Sequence, residues 1–470
     1  MIVMKFGGTS VGSAERINDV AQLVKSYQNS KPVVVTSAMT QITNQLEDMA
    51  RLATTGNRKR VIAAKLAALK SAHNQAISGL GLEPSAEAAL RAIIDDKTAK
   101  LGNILKSVTA LGELTPRGRD LILSFGERLS IHLVAAALNA QGVPAVAINA
   151  TDFLVTDDNF NDAQPLLTLS KKRAQKLLLP LVEKGTVPVI TGFIGATRDG
   201  VTTTLGRGGS DFSGTILGYC LDAKEVWIWT DVDGVMTSDP RIVPAARTID
   251  KMSYEEASEL SYFGAKVIHP RTMIPTAELG IPIVIKNTMN PKHPGTHITP
   301  SGDTAAKGAK ALTLMKDLAM ITIQGKGMRG VQGTAARVFD TMAAAGVNVL
   351  FISQASSENN ITIVVEKAAG HVATRTLRQA FATEVRAKRI DFVEYHGGVS
   401  LIAVVGTGMR QHVGMAGSIF SALGNGNVNV IAIAQGSSEL NITIVVESKE
   451  DAKALLCIHD ALYAAKGENS

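Results

Sequence analysis

VNVLFISQASSENNITIVVE, residues 347 to 366, returns 81 residues later as VNVIAIAQGSSELNITIVVE, residues 428 to 447. The offset runs back without a gap through ITIQGKGMRGVQGTAARVF (321 to 339) and IAVVGTGMRQHVGMAGSIF (402 to 420), which keep glycines at 325 and 406, 327 and 408, and 333 and 414. Self-similarity of this length marks one supersecondary unit used twice. Each copy reads strand, helix, strand, strand, helix. The first copy closes on a further strand-like run, RIDFVEYH (389 to 396), whereas the second runs out into AAKGENS. The second copy must borrow a strand, and AKALTLMK (309 to 316) is the unassigned candidate. The repeat therefore predicts two βαββαβ units, the first (317 to 396) inserted into the second (309 to 316 plus 397 to 470).

GKGMRG (325 to 330) follows a strand and precedes a helix, as a dinucleotide fingerprint does. Its second copy has Gln411 in place of the third glycine, and neither copy continues into a βαβ crossover with an acidic residue on the next strand. The reading that survives is a strand-to-helix turn able to hold a small ligand at a helix N-terminus.

Upstream of the repeat the pattern changes. VVVTSAM (33 to 39), VPAVAINA (143 to 150), VPVITGF (187 to 193), VWIWT (226 to 230) and IPIVIKN (281 to 287) are short, nearly all-apolar runs. Strands buried on both faces read this way. Helical stretches such as 128 to 142 and 174 to 185 separate them, so residues 1 to 290 predict an α/β domain, an αβα sandwich. Residues 44 to 115, rich in Ala, Leu and Lys at helical spacing, read as a helical insert. Residues 291 to 308 carry Pro and Gly without periodicity and read as a linker.

With 470 residues, 45% of them hydrophobic, the chain has material for two or three cores. A net charge of +6 favours anionic ligands, but the cations are dispersed and aromatics make up 4%, which points to phosphorylated small molecules and away from nucleic acid. Cys220 and Cys457 match no metal-ligand spacing. The N-terminus enters a strand pattern with no cationic leader, and no continuous apolar run reaches the ~20 residues of a membrane span, so the sequence reads as a cytoplasmic protein.

Polar stretches containing glycine interrupt the apolar strands of the first domain. KFGGTS (5 to 10) offers unobstructed backbone N–H groups and the Lys5 charge, a phosphate site by chemistry. TLGRGGSDFSG (204 to 214) holds Arg207 and Asp211, a guanidinium for a carboxylate and an acid for an ammonium group, which together suit an amino acid. SFGERLS (124 to 130) adds Glu127 and Arg128 at a helix start. WTDVDGVMTSDPR (229 to 241) places Thr230, Asp231 and Asp233 after a strand, and FGAKVIHPRT (263 to 272) adds Lys266 and His269. No GxxxxGK[ST] occurs, so the nucleotide site is not a P-loop. A carboxylate acceptor is ionised at neutral pH and needs no general base, so positioning and charge neutralisation would suffice for phosphoryl transfer.

In order along the chain, KFGGTS, SAM with TNQL (37 to 39 and 43 to 46), SFGERLS, GRGGSD, WTDVDGVMTSDPR and MSYEEASELSYFGAKVIHPRT (252 to 272) resemble aspartate kinases. The duplicated C-terminal unit resembles their paired, ferredoxin-like ACT domains. The resemblance implies an amino-acid-kinase (carbamate-kinase-like) catalytic domain that phosphorylates the β-carboxylate of L-aspartate with ATP and Mg2+. It implies Lys5, Asp211 and Lys266 as catalytic, with Lys5, Gly7, Gly8 and Ser10 facing the phosphates. Ser37, Thr43, Glu127, Arg207 and Asp211 would hold aspartate, and Thr230, Asp231, Met236, Arg241, Lys266 and Val267 the nucleotide. Met236 stands where family members often have tyrosine, so an apolar contact would replace a hydroxyl. For the ACT units it implies an allosteric amino acid held by Met328, Gly333, Thr334, Gln354, Asn360, Gln435 and Asn441, and a homodimer or tetramer. The side-chain amides of Gln354 and Gln435 favour threonine over lysine. The sequence ends after the second unit, which resembles a monofunctional member. Two rivals stand beside this reading: a glutamate or acetylglutamate kinase, and an amino-acid sensor with a vestigial kinase half.

Overall fold

The computed structural model describes residues 1–470 apart from 56, 57, 265–267, 304–307, 411 and 464–470. Two compact units result, one made of Met1–Val235, Thr248–Tyr254 and Ile268–Gly302, the other of Met236–Arg247, Glu255–Val267 and Asp303–Ser470.

The first unit is built on strands β1 (Ile2–Phe6), β2 (Pro32–Thr36), β3 (Ala145–Ile148), β4 (Val187–Thr191), a short hairpin of β5 (Ile194–Ala196) and β6 (Thr202–Thr204), β7 (Glu225–Thr230), β8 (Lys251–Ser253), β9 (Ile283–Asn287) and β10 (Thr296–Thr299). Eight of them form one sheet in the order β3-β4-β2-β1-β7-β9-β10-β8, parallel except for β10 against β9. Helices Ala14–Ser26 and Phe125–Ala140 pack together over one face, and Leu167–Glu183, Gly209–Cys220 and Pro270–Leu279 over the other. This sandwich explains the apolar strand sequences: every residue of β1, β2 and β4 is buried. β3 departs from the expected two-sided burial. It is the edge strand, and three of its four residues keep some exposure.

The insert is helical as its composition implies, with Ile42–Thr54, Lys59–Ser78 and Pro84–Leu111. One correction concerns the chain's organisation. The stretch read as a linker contains β10, whose Thr296 and Ile298 are buried; four residues are too few to show a period. Residues 116 to 140 are long and apolar enough to cross a membrane, but 78% of their apolar window lies inside the protein, as in a core helix.

In the second unit, β11 (Ala311–Gln324), β12 (Phe351–Gln354), β13 (Asn360–Glu366), β14 (Phe392–Val405), β15 (Ala432–Gln435) and β16 (Asn441–Glu447) form a sheet in the order β12-β13-β11-β14-β16-β15. β11 and β14 each run through both copies of the repeat. Ala311–Met315 pairs with Leu401–Val405, and after a register shift Ala319–Gln324 pairs with Phe392–Gly397. Ser353 Oγ donates to the Ile433 carbonyl at 3.2 Å, linking the two outer strands. Between them Leu318, Phe351, Val364, Leu401 and Val445 form a core.

Two segments upstream of residue 290 belong to this unit. Val243 is fully buried in the core of the second copy with Ile442 and Ile444, Leu312 N–H donates to the Thr237 carbonyl at 2.8 Å, and Thr313 Oγ1 donates to the Phe263 carbonyl at 2.7 Å. The division of the chain is thus not one cut near residue 290.

Candidate functional site

Lys5 sits near the carboxyl end of β1, hydrogen-bonded in register between Val35 of β2 and Ile228 of β7. Open α/β sheets bind ligands at that end. The Lys5 ammonium lies 2.5 Å from the Asp211 carboxylate, with 9% and 22% of the two side chains exposed. Asp211 occupies the first turn of helix Gly209–Cys220, which the chain enters through Gly208 at φ +70°, a left-handed turn that suits glycine. Gly214 lets the helix lie on the lysine stem, since a Cβ there would stand 3.2 Å from Lys5 Cβ.

A cavity of about 470 Å³ opens at this pair, lined by Lys5, Gly8, Ser37, Thr43, Glu127 and Asp211. The structure thus gathers residues from four motifs. Glu127, in the first turn of helix Phe125–Ala140, is 2% exposed. Its Oε1 accepts from Ala38 N–H at 3.2 Å, and Oε2 is buried with no partner. Burial pushes its carboxyl up to about 8, against the pull of that N–H and of Lys5. Close approach holds the walls: Thr40 Oγ1 donates to the Gly8 carbonyl at 2.9 Å, and a Cβ on Gly8 would meet the Ala38 carbonyl oxygen at 2.9 Å.

Several lining residues had no signal strong enough to be found in the sequence. Phe193 and Gln41 both sit in left-handed backbone, at φ +66° and +65°. For a bulky side chain that conformation is strained and needs support. At Phe193 the support is an N–H donated to Ser213 Oγ at 2.8 Å and a carbonyl accepting from Leu205 N–H at 2.9 Å. Asp120, fully buried, accepts from Thr204 N–H at 2.9 Å, Thr204 Oγ1 at 2.6 Å and Asn161 N–H at 3.0 Å. Arg271 pairs with Asp162. Together these anchor the strand that leads into Gly206 and Gly208 on the cavity wall.

Other expected residues lie elsewhere. Arg207 is exposed and does not line the cavity, although Gly206 and Gly208 do. Gly7 N–H donates to the Trp229 carbonyl at 3.2 Å, and Ser10 is buried against Thr288, Oγ to Oγ1 at 3.1 Å, turned from the cavity.

The Amino acid kinase family matches residues 1–287, and the ACT domain matches 321–381 and 402–462. Aspartokinase 3, chloroplastic, of Arabidopsis thaliana is 36% identical over 98% of this chain and 81% of its own length. The chain belongs to the aspartokinase family. The structure of E. coli aspartokinase III in complex with aspartate and ADP superposes with a TM-score of 0.80 and 28% identity, covering 98% of this chain and 100% of that one. The Clostridium acetobutylicum aspartate kinase gives 0.81 and 27%, with the same coverage. The bifunctional aspartokinase/homoserine dehydrogenase of Haemophilus influenzae is 36% identical over 99% of this chain, and the chain spans only 57% of it. Against the plant bifunctional enzymes the share is about half, 51% for that of Arabidopsis thaliana.

The residues expected to hold the nucleotide fall on different units. Thr230 Oγ1, at the end of β7 in the first unit, donates to Asp231 Oδ1 at 3.2 Å. Met236 and Arg241 belong to the second, where Arg241 Nη2 meets Asp239 Oδ2 at 2.6 Å. Lys266 and Val267 lie outside the described residues.

The repeat half of the chain carries a cavity of about 280 Å³, lined by Met409, His412, Gly414, Met415, Gln435 and Ile442. Met409, Gly414, Met415 and Gln435 are the counterparts, 81 residues on, of Met328, Gly333, Thr334 and Gln354. Met328 is buried, Gly333 caps helix Thr334–Ala344 at φ +85°, and Gln354 ends β12 exposed. Asn360 pairs with Gln324 in the ladder, whereas Asn441 Nδ2 donates to Glu259 of helix Tyr254–Tyr262.

Proposed function

We propose that the chain transfers the γ-phosphoryl group of ATP to the β-carboxylate of L-aspartate, giving 4-phospho-L-aspartate, at the head of the aspartate-derived amino-acid pathway. The observation that carries this reading is the Lys5–Asp211 pair at 2.5 Å in a cavity that also holds Ser37, Thr43 and Glu127. A bond forms between a carboxylate oxygen and the γ-phosphorus while the bond to the ADP oxygen breaks. Lys5 neutralises charge on the transferring group, and Gly8 leaves backbone exposed to it. Glu127 receives the substrate ammonium. Near neutral pH its buried carboxyl is largely protonated, so it loses a proton as the ammonium arrives. Arg207, at the rim, turns onto the α-carboxylate. Magnesium asks for one or two carboxylates besides phosphate and water, and Asp211 in the cavity fits that demand. When bound, the ion supplies charge neutralisation to the phosphates.

The ACT units carry an allosteric amino acid, threonine in preference to lysine, and join two chains as a homodimer. The E. coli aspartokinase III structure with lysine and aspartate, at a TM-score of 0.79 and 29% identity, keeps lysine as the competing effector. A hydroxamate assay with ATP and magnesium tests the reaction. Aspartate should give product, with glutamate and acetylglutamate inert, and Arg207→Ala should raise KM for aspartate far more than for ATP. Turnover of glutamate or acetylglutamate instead, or of none of the three, would reject it.

A further inference from the structure

The two ACT copies share a fold but not an outer helix face. In the second copy, helix Asp451–Tyr463 presents Leu455 and Ile458 to a core that also takes Val243. His459 Nε2 lies 3.1 Å from Thr237 Oγ1, so the segment Met236–Arg247 covers this face. In the first copy, helix Lys367–Ala380 has no such cover from the described residues. A cavity of about 500 Å³ lies there instead, lined by His371, Thr374, Arg375, Arg378, Gln379 and the Tyr395 ring.

Helical spacing sets 371, 374, 375, 378 and 379 on one stripe. The same stripe 81 residues on reads Ala452, Leu455, Leu456, His459 and Asp460, so both arginines are particular to the first copy. Among the described residues neither Arg375 nor Arg378 has a carboxylate within 4.0 Å, whereas Arg51, Arg91 and Arg337 each hold one. Arg378 is also set in place: its Nε donates to the Val393 carbonyl at 2.9 Å, leaving the outer nitrogens to another partner. The floor is shaped for an aromatic ring. Gly370 has no side chain where a Cβ would meet Tyr395 Cε2 at 2.7 Å, and His371 stacks on Tyr395 with the ring centroids 4.4 Å apart and the planes 22° from parallel.

We infer that this cavity is a second ligand site, distinct from the catalytic cavity and from the one at Gln435, and that it takes a small phosphorylated anion. Two guanidiniums with no acid on the lining select phosphate oxygens. The volume is that of a small-molecule pocket. The exposed face of His371 offers a stacking surface to any ring the ligand carries.

Inorganic pyrophosphate, titrated calorimetrically into the full chain at low salt, tests the site. Lys5→Ala serves as background, because it removes a cation that lines the catalytic cavity. The expected result is one binding event that survives Lys5→Ala and weakens by about tenfold or more when Arg375→Ala and Arg378→Ala are added, as the loss of charge-assisted contacts requires. On the wild-type background the double arginine variant should keep kcat for aspartate phosphorylation. Should that variant unfold, Arg378→Lys, which keeps the charge but loses the fork, must still bind more weakly than its parent. Equal affinity with and without the arginines would overturn the site. So would no binding by Lys5→Ala, or binding of oligoglutamate in place of pyrophosphate, which would make the face a docking surface for an acidic chain.

Discussion

Glu127 accepts the Ala38 N–H through one carboxylate oxygen at 3.2 Å and buries the other with no partner. Helix Phe125–Ala140 can carry it there because Gly126 leaves room for Ala38: a Cβ on Gly126 would meet Ala38 Cβ at 2.6 Å. A carboxyl held this way is costly to ionise, and its titration is a handle on the site.

The Glu127 carboxyl moves from 4.5 to about 8 on folding, so between those values the folded chain binds more protons than the unfolded one. Its contribution to stability is complete below about 4.5 and is lost as pH rises towards about 8. Glu127→Gln cannot ionise and should escape that loss. Tm of the ligand-free variant, relative to wild type, should therefore climb as pH is raised across this window. Parallel Tm curves would show that the carboxyl titrates normally.

Lys5→Ala removes the cation that the proposed reaction sets against the transferring phosphoryl group. We expect kcat to fall by about 10²–10³ with a smaller change in KM, as for loss of a contact that matters most in the transition state. Asp211 would lose its partner at 2.5 Å, so Tm is to be measured alongside. A variant with near-normal kcat would assign the phosphate contact elsewhere.

Asp120 does not line the cavity yet holds Thr204 and Asn161 by three hydrogen bonds. Asp120→Ala leaves those buried donors unmet and should cost about 3 kcal/mol. Increased hydrogen exchange confined to residues 160 to 163 and 202 to 208 would accompany it. Loss of activity with unchanged stability and exchange would instead make Asp120 part of the chemistry.

The effector prediction turns on which copy has the room. Gln354 and Gln435 both end their strands exposed, and Gln435 lines a cavity, so Gln435→Ala should blunt threonine inhibition more than Gln354→Ala does. Dose-response curves for threonine and lysine on both variants read this directly. Inhibition by lysine alone would refute the threonine assignment, and a larger effect at Gln354 would move the site to the first copy.

The sequence alone determined the repeat, the αβα class and the polar motifs at strand ends, because each is written in local periodicity or in glycine and charge at short spacing. Lys5, Glu127 and Asp211 were legible for that reason. Only the tertiary structure decided which of them meet. It brought Lys5 to Asp211, buried Glu127, left Arg207 exposed and off the cavity lining, and turned Ser10 towards Thr288. Phe193 and Asp120 were invisible beforehand, since a strained φ and a buried carboxylate depend on partners far away in the chain. The same holds for Met236–Arg247: its apolar Val243 carries no label saying which core will take it, and the contacts placed it with the repeats. Burial and long-range pairing are properties of surfaces that exist only once the chain has folded, so local sequence can name the candidate groups without fixing their company.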